Sequence, residues 1–344
     1  MNNKQKFGQF FTENYKYILQ NFKIPNNIKN IIEPFVGNED LLNFVDINKY
    51  HIEKYDIDPQ NKNIKKRDTI LNPPNYNNKF VLTNPPYLAR NKNKDKSLYN
   101  KYKVNDLYKC FLINLLNNKC LGGIIIIPLN FFSSIRKNDI KLRKDFLNIY
   151  NIKKINIFEE KVFKDTSYTV CSLLFELKND TLNNIYIKLY IYPSKKELLI
   201  QLNEKNNYTI GGEIYLLKIN KKIHIDRLTK KNKNKHNITN IKVNCIDNNE
   251  KDKIKLYLTE EKDRYIDNTE KLSARTFATL IITPKINIER QNKLIKDFNN
   301  FLTEKRVKYN SLFLTNYRES KKISRKRISF KLVYNICNHL LSNY

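Results

Sequence analysis

Eight residues, Phe80-Val81-Leu82-Thr83-Asn84-Pro85-Pro86-Tyr87, combine types that could do chemistry together. The apolar run predicts a short buried strand, and the Asn-Pro-Pro-aromatic stretch after it predicts a rigid loop. Two successive prolines fix φ near about −65° and remove two backbone donors. The carbonyls of Asn84 and Pro85 are then free to accept from another molecule, and Tyr87 stands beside them as a flat stacking surface. An amide oxygen, a main-chain carbonyl and an aromatic ring are what is needed to grip an exocyclic amino group on a planar ring. The same residues would also serve as a plain proline-rich turn. A second copy, Asn72-Pro73-Pro74, has no apolar strand leading into it, and Asn75 after it is not aromatic. It is expected to be a turn without chemistry.

The elements that must position such a loop are legible upstream. Ile31-Ile32-Glu33-Pro34-Phe35-Val36-Gly37-Asn38-Glu39-Asp40-Leu41-Leu42 predicts a strand, a glycine-bearing turn and a helix start. A doubly wound α/β fold opens its nucleotide site in this way. Gly37 suits a turn where backbone approaches a ligand closely. His51 to Pro59 predicts the next strand, with an acid at its carboxyl end. A carboxylate there, about 20 residues beyond the glycine turn, can take both ribose hydroxyls. Ahead of both, Phe7-Gly8-Gln9-Phe10-Phe11-Thr12 precedes a helix-like segment from Glu13 to Phe22. Thr12 is a good N-cap for that helix, whose N-terminus would favour a carboxylate.

Further along, Asp106 to Asn117 predicts a helix with one broad apolar face, and Ile124 to Pro128 a fully buried parallel strand. Arg136 to Leu147 predicts another helix and Ile152 to Phe158 another strand. A β-run then ends at Leu177, and Ile185 to Tyr192 alternates as a strand that Pro193 stops. Ala89 to Lys96 is a basic loop beside the candidate chemistry. It could run along phosphates, which set register without reading sequence, or be a solvated charge run.

The chain has 344 residues, enough for two domains. Its formal net charge is +30, which disfavours compactness by self-repulsion and points to a polyanionic partner. A lysine- and asparagine-heavy composition with solvated lysines is the plainer explanation. The five cysteines form no Cys-x-x-Cys pair, so neither zinc nor any other metal site is expected, and a reducing compartment fits. Met1 to Lys6 lacks the apolar core of a signal peptide, and Ile124 to Leu129 is too short to span a bilayer. These features predict a soluble, intracellular protein.

Asn84-Pro85-Pro86-Tyr87, Glu33-Pro34-x-x-Gly37, Asp56-Ile57-Asp58-Pro59 and Phe7 to Thr12 occur in the order seen in one family. Over residues 7–177 the chain resembles the gamma-class adenine-N6 DNA methyltransferases of the restriction–modification type. Glu39 departs from that family's pattern, which has a second glycine there. The resemblance implies S-adenosylmethionine as cofactor, bound by Phe10, Thr12, Glu33, Gly37, Asp56, Asp68 and Asn84. Glu33 would meet the amino group of its methionine part, Asp56 its ribose and Asp68 its adenine amino group. It also implies catalysis by Asn84, Pro85 and Tyr87, with Phe163 covering the second face of a flipped adenine and Tyr168 as the rival for that place. The implied fold is α/β, a Rossmann-like class I methyltransferase domain over residues 1–193 followed by a smaller basic α+β target-recognition domain over residues 194–344. The basic clusters Lys230 to Lys235 and Lys321 to Lys331, and the stretch Phe313 to Arg318, fit the second role, as they would fit the solvated surface of an accessory domain. Double-stranded DNA, a cognate restriction endonuclease and a cytoplasmic setting, bacterial or virus-encoded, are the implied partners and location. RNA adenine, a protein glutamine, or a catalytically silent DNA-binding role remain open alternatives.

Overall fold

The protein is described from a computed structural model. It covers residue 8 and residues 10–163, 168–179, 186–247, 253–268, 276–314, 316–320 and 323–344, with side chains of 316–325 outside the description. The chain divides into two compact units, Met1–Asn203 and Glu204–Tyr344.

The first unit is built on a nine-stranded sheet. In chain order its elements are α1 (Tyr15–Ile18), β1 (Asn30–Glu33), β2 (His51–Asp56), β3 (Lys65–Lys66), β4 (Phe80–Thr83), α2 (Ser97–Tyr102), α3 (Leu107–Asn117), β5 (Gly122–Pro128), α4 (Asn130–Ser133), α5 (Lys137–Ile149), β6 (Tyr150–Phe158), β7 (Val170–Leu177), β8 (Tyr186–Tyr192) and β9 (Lys196–Gln201). The strand order is β3-β2-β1-β4-β5-β7-β6-β8-β9. Strands β1 to β5 run parallel, whereas β7 lies antiparallel between β5 and β6. This is the Rossmann-like α/β sheet expected from the sequence.

Burial explains which strands are central. Phe80 to Leu82 and Ile124 to Ile127 have no exposed surface, as parallel strands covered on both faces require. The chain leaves β1 outward to β2 and β3, then returns to β4 on the other side of β1. Strand order therefore reverses between β1 and β4, and a crevice opens beyond their carboxyl ends. Ile32 is opposite both Glu53 and Val81, so this register brings Glu33, Asp56 and Asn84 to the same end of the sheet.

Three local expectations are corrected. The helix foreseen from Glu13 to Phe22 is a single turn, Tyr15–Ile18, and Thr12 does not cap it. Ser172 Oγ and Asn156 Nδ2 donate to the carbonyl of Ile18, and Asn156 also donates to that of Gln20. Sheet side chains thus take the carbonyls that further helical turns would have used. The helix foreseen after Gly37 is a short 3₁₀ turn, Asp40–Phe44, followed by a tight turn in which Asp46 Oδ1 accepts from Asn48 N and competes with helical pairing. The first unit ends at Asn203 rather than Pro193, because β9 pairs antiparallel with β8 along its whole length.

The second unit contains β10 (His224–Arg227), β11 (Ile238–Asn244), β12 (Ile246–Asp247), β13 (Lys255–Leu258), β14 (Phe277–Thr283), α6 (Ile288–Tyr309), β15 (Asn316–Ser320), β16 (Ile323–Arg327) and α7 (Phe330–Leu341). Four strands form an antiparallel sheet in the order β10-β14-β11-β13, and three form another in the order β12-β16-β15. The N-cap side chains Asn287 and Ser329 accept from Arg290 N and Leu332 N, starting the two helices. The unit is therefore α+β. No helix among the described residues is long and apolar enough to cross a membrane.

Candidate active site at the strand ends

A cavity of about 380 Å³ occupies the crevice at the carboxyl ends of β1, β2 and β4. Phe10, Thr12, Glu33, Gly37, Asp56, Asp68 and Asn84 all line it. Positions up to 74 residues apart in the sequence thus meet on one surface.

Asn84 leaves β4 only 9% exposed. Its Nδ2 donates to the carbonyl of Phe10 at 2.7 Å and to Thr12 Oγ1 at 3.1 Å. Two acceptors on the amide nitrogen fix the amide's orientation, so Oδ1 is presented on the other side as an acceptor. The Tyr87 hydroxyl lies between Asn84 Oδ1 and the Ile126 carbonyl, 2.7 Å from the latter, and can donate to either. Tyr87 N donates to the Gly8 carbonyl at 2.9 Å. Gly8 has φ +68°, and a Cβ there would come within 2.8 Å of the Tyr87 carbonyl oxygen. Gly8, Phe10 and Thr12 thereby meet the Asn-Pro-Pro-Tyr stretch, and Thr12 serves as an acceptor for Asn84 rather than as a helix cap.

Glu33 is 1% exposed, and its Oε2 has no hydrogen-bond partner among the described residues. Burial pushes its carboxyl well above the usual range, and Asp56, Asp40 and Glu39 push it the same way. A buried acid of this kind calls for a cationic or multi-donor ligand. Asp56 Oδ2 accepts from Gly37 N at 2.9 Å and its Oδ1 from Asp58 N at 2.8 Å, which aims the carboxylate at the turn. Gly37 has φ +52°, and a Cβ there would meet the Phe11 ring at 3.0 Å. Glu39, where the family pattern has glycine, adopts φ +64°. Its carboxylate accepts from Lys54 at 2.6 Å and from Asn61 at 2.7 Å. These side-chain contacts hold a backbone conformation that glycine adopts freely. Asp68 Oδ1 accepts from Ile70 N and Leu71 N, and Asp58 is exposed and off the wall.

The aromatic groups are arranged differently from expectation. Tyr87 is 2% exposed and is not an open stacking surface. Phe10 covers it at a centroid distance of 5.4 Å and an interplanar angle of 28°, while Tyr108 and Tyr168 meet it edge-on. Phe163 is buried and packs on Phe10 at 6.2 Å. Pro85 is buried, and Pro86 is the proline on the cavity wall. Lys164 to Ser167, in the late loop, lie outside the described residues, as do Phe7 and Gln9.

Several wall residues carry no signal in the sequence. Asn93, Asp95 and Leu98 come from the basic loop and the helix after it, with Phe35, Ile57, Ile70 and Leu107 as apolar wall. That loop is not simply a cationic track, since Arg90 donates to Asn100 Oδ1 and Lys96 to the carbonyls of Arg90 and Asn93. Asp106 accepts from Leu88 N, just past the Asn-Pro-Pro-Tyr stretch, at 3.1 Å. Burial pushes its carboxyl up to about 7, against the pull of nearby Lys109. A buried acid before an apolar helix would have been its only sequence signal. Among the described residues, no group of three His, Cys, Asp or Glu side chains could hold a metal ion.

No protein-family model matches the chain, and no curated protein sequence matches it either. Solved structures do. A type I restriction-modification system methyltransferase subunit from Streptococcus thermophilus is 15% identical, with a TM-score of 0.39 over 54% of this chain and 48% of that one. The M protein of the type I restriction enzyme EcoKI is 12% identical, with a TM-score of 0.38 over 66% of this chain and 60% of that one. The type IIG restriction endonuclease BpuSI is 13% identical, with a TM-score of 0.41 over 66% of this chain and 36% of that one. The matched chains are longer, and in each case less than two thirds of their length is covered.

Proposed function

We propose that the chain is a site-specific DNA methyltransferase that modifies the N6 amino group of adenine in duplex DNA, with S-adenosylmethionine as cofactor. One observation carries the reading. The Asn84 amide, held by Phe10 and Thr12 at its nitrogen and by the Tyr87 hydroxyl at its oxygen, lines a nucleotide-sized crevice in a fixed orientation.

Bound S-adenosylmethionine supplies an electrophilic methyl group. Glu33, whose buried Oε2 has no hydrogen-bond partner among the described residues, would hold its ammonium group. Asp56 would take the ribose hydroxyls, and Asp68 the adenine amino group. The apolar wall from Phe35 to Leu107 fits a purine ring. The amino nitrogen of adenine is a poor nucleophile because its lone pair is delocalised. Accepting hydrogen bonds from it, Asn84 Oδ1 and the Pro85 carbonyl would draw it toward tetrahedral geometry and stabilise the positive charge developing on it. A base inside a duplex is out of reach of these groups and must be flipped. Tyr87 offers the ring to receive it, with the target base taking the place of the Phe10 ring that covers it. Phe163 or Tyr168 would close the other side. The second unit would bind the duplex, and a cognate restriction endonuclease is the partner this activity implies.

The test is transfer of labelled methyl to duplex DNA, RNA and protein extract side by side, with the acceptor digested to its units. N6-methyladenine in DNA is expected. Label confined to RNA or glutamine would overturn the substrate, and no label in any acceptor would overturn the enzyme.

A further inference from the structure

One face of the four-stranded sheet in the second unit carries a lysine held by two rings. In an antiparallel ladder, residues opposite one another share a face. Lys242 is opposite Tyr257 on β13 and Thr279 on β14, and Asn244 is opposite Lys255 and Phe277. These two rows therefore lie on one side. Val243, Leu256 and Ala278 occupy the other side and are fully buried, with α6 packing on β11 and β13.

On the first side, Lys242 Nζ sits 5.5 Å from the Phe277 ring centroid and 6.0 Å from that of Tyr257. Tyr265 tilts against Phe277 at 6.3 Å. Phe277 is 37% exposed and Lys255 is exposed. Among the described residues no carboxylate pairs with Lys242, and of the nearby acids Glu260 pairs with Lys262 and Glu261 with Arg264. Two rings attract an ammonium through their negative faces and limit its rotamers before any ligand arrives. A cation so held, beside the exposed Lys255, loses less entropy on meeting a phosphate than a solvated lysine does. The charge of the whole chain, +30, favours a polyanion over a single anionic metabolite.

Thr279 and Asn244 in these rows are buried, and we propose that the accessible part of the face, Lys242 between Tyr257 and Phe277 with Lys255 beside them, docks the phosphate backbone of duplex DNA. The choice of partner rests on the proposed function, whereas the docking chemistry is independent of methyl transfer. The ring faces are turned to the ammonium group, which favours backbone contact over the stacking of unpaired bases.

The full chain would be titrated with a labelled duplex and with its unpaired strand over a series of salt concentrations. Lys242→Gln should weaken duplex binding about three- to tenfold and lower the slope of log K against log salt by about one. Lys242→Arg should keep both within about twofold, and cofactor affinity should be unchanged in either variant. Phe277→Ala, which leaves the charge in place but releases it, should give a smaller loss in affinity with the slope kept. An unchanged affinity and slope in Lys242→Gln would overturn the proposal, as would a loss confined to the unpaired strand or to an acidic protein partner. Wild-type protein that binds duplex through Lys242 but transfers no methyl group would remove the proposed function and leave the docking face. Methylation of DNA with a silent Lys242→Gln would do the reverse, and a wild type that binds no DNA would remove both.

Discussion

The chain carries Asn-Pro-Pro twice, at 72–74 and at 84–86, and uses the two copies in opposite senses. At the first, internal donors absorb the carbonyls: Arg67 reaches those of Asn72 and Pro73 at 2.7 and 3.1 Å, and Asn118 that of Pro74 at 3.1 Å. Asn72 itself is exposed. At the second, internal acceptors absorb the amide hydrogens of Asn84 and the Tyr87 hydroxyl meets its oxygen, which fixes the side chain on the cavity wall. A proline pair supplies rigidity in both places. What makes one copy a candidate for chemistry is the strand that delivers it to the switch point and the segment that fixes its side chain.

That contrast can be broken most sharply at the asparagines. Under the proposed function, Asn84→Ala should lower kcat by about 10²–10³-fold, the scale of losing one preorganised transition-state contact. The dissociation constant for S-adenosylmethionine should stay within about threefold. Asn72→Ala should leave kcat within about twofold. Single-turnover methyl transfer with both variants checks this, and equal losses would erase the distinction.

Glu33→Gln sharpens the cofactor side of the comparison. Calorimetric titration should show S-adenosylmethionine binding weakened by roughly tenfold or more, about 1.4 kcal/mol, since the amide no longer offsets a positive charge. Stability should move the other way. A carboxyl whose folded-state value is raised binds its proton more tightly in the native than in the unfolded chain, so its contribution is present at low pH and lost as pH rises through that value. Thermal melts should therefore place the glutamine variant above the parent on the alkaline side and converge with it in acid.

A smaller effect is expected where the first copy is tied down. Asn118→Ala removes the donor to Pro74 and the acceptor for Tyr76 N. It should cost about 1–2 kcal/mol, read as a fall in Tm, with kcat kept. Tyr87→Phe should be the mildest at the second copy. The ring and its Phe10 contact persist, and kcat should fall by less than about fivefold, measured on the same duplex.

The sequence made the parallel strands readable because they are buried on both faces, and it made Glu33, Asp56 and Asn84 readable because each ends or follows such a strand. Loop geometry was harder to read. Asn93, Asp95 and Arg67 reach the cavity through turns set by side-chain hydrogen bonds, for which no periodicity exists. Glu39 shows the same limit from another direction. A pattern that expects glycine has no way to register a glutamate held in the left-handed region by Lys54 and Asn61. Tyr87 taught most, for its types and spacing predicted an open face, and only tertiary packing brings Phe10 onto it.

The short segment 10–12 supplies a wall of the cavity and, through Phe10 and Thr12, the grip on the Asn84 amide. Whatever fills the cavity therefore leans on the same strap of backbone that decides where the amide oxygen points. In thermodynamic terms the two occupancies are linked. If cofactor tightens the hold on a target amino group, the target must tighten the hold on cofactor by the same factor.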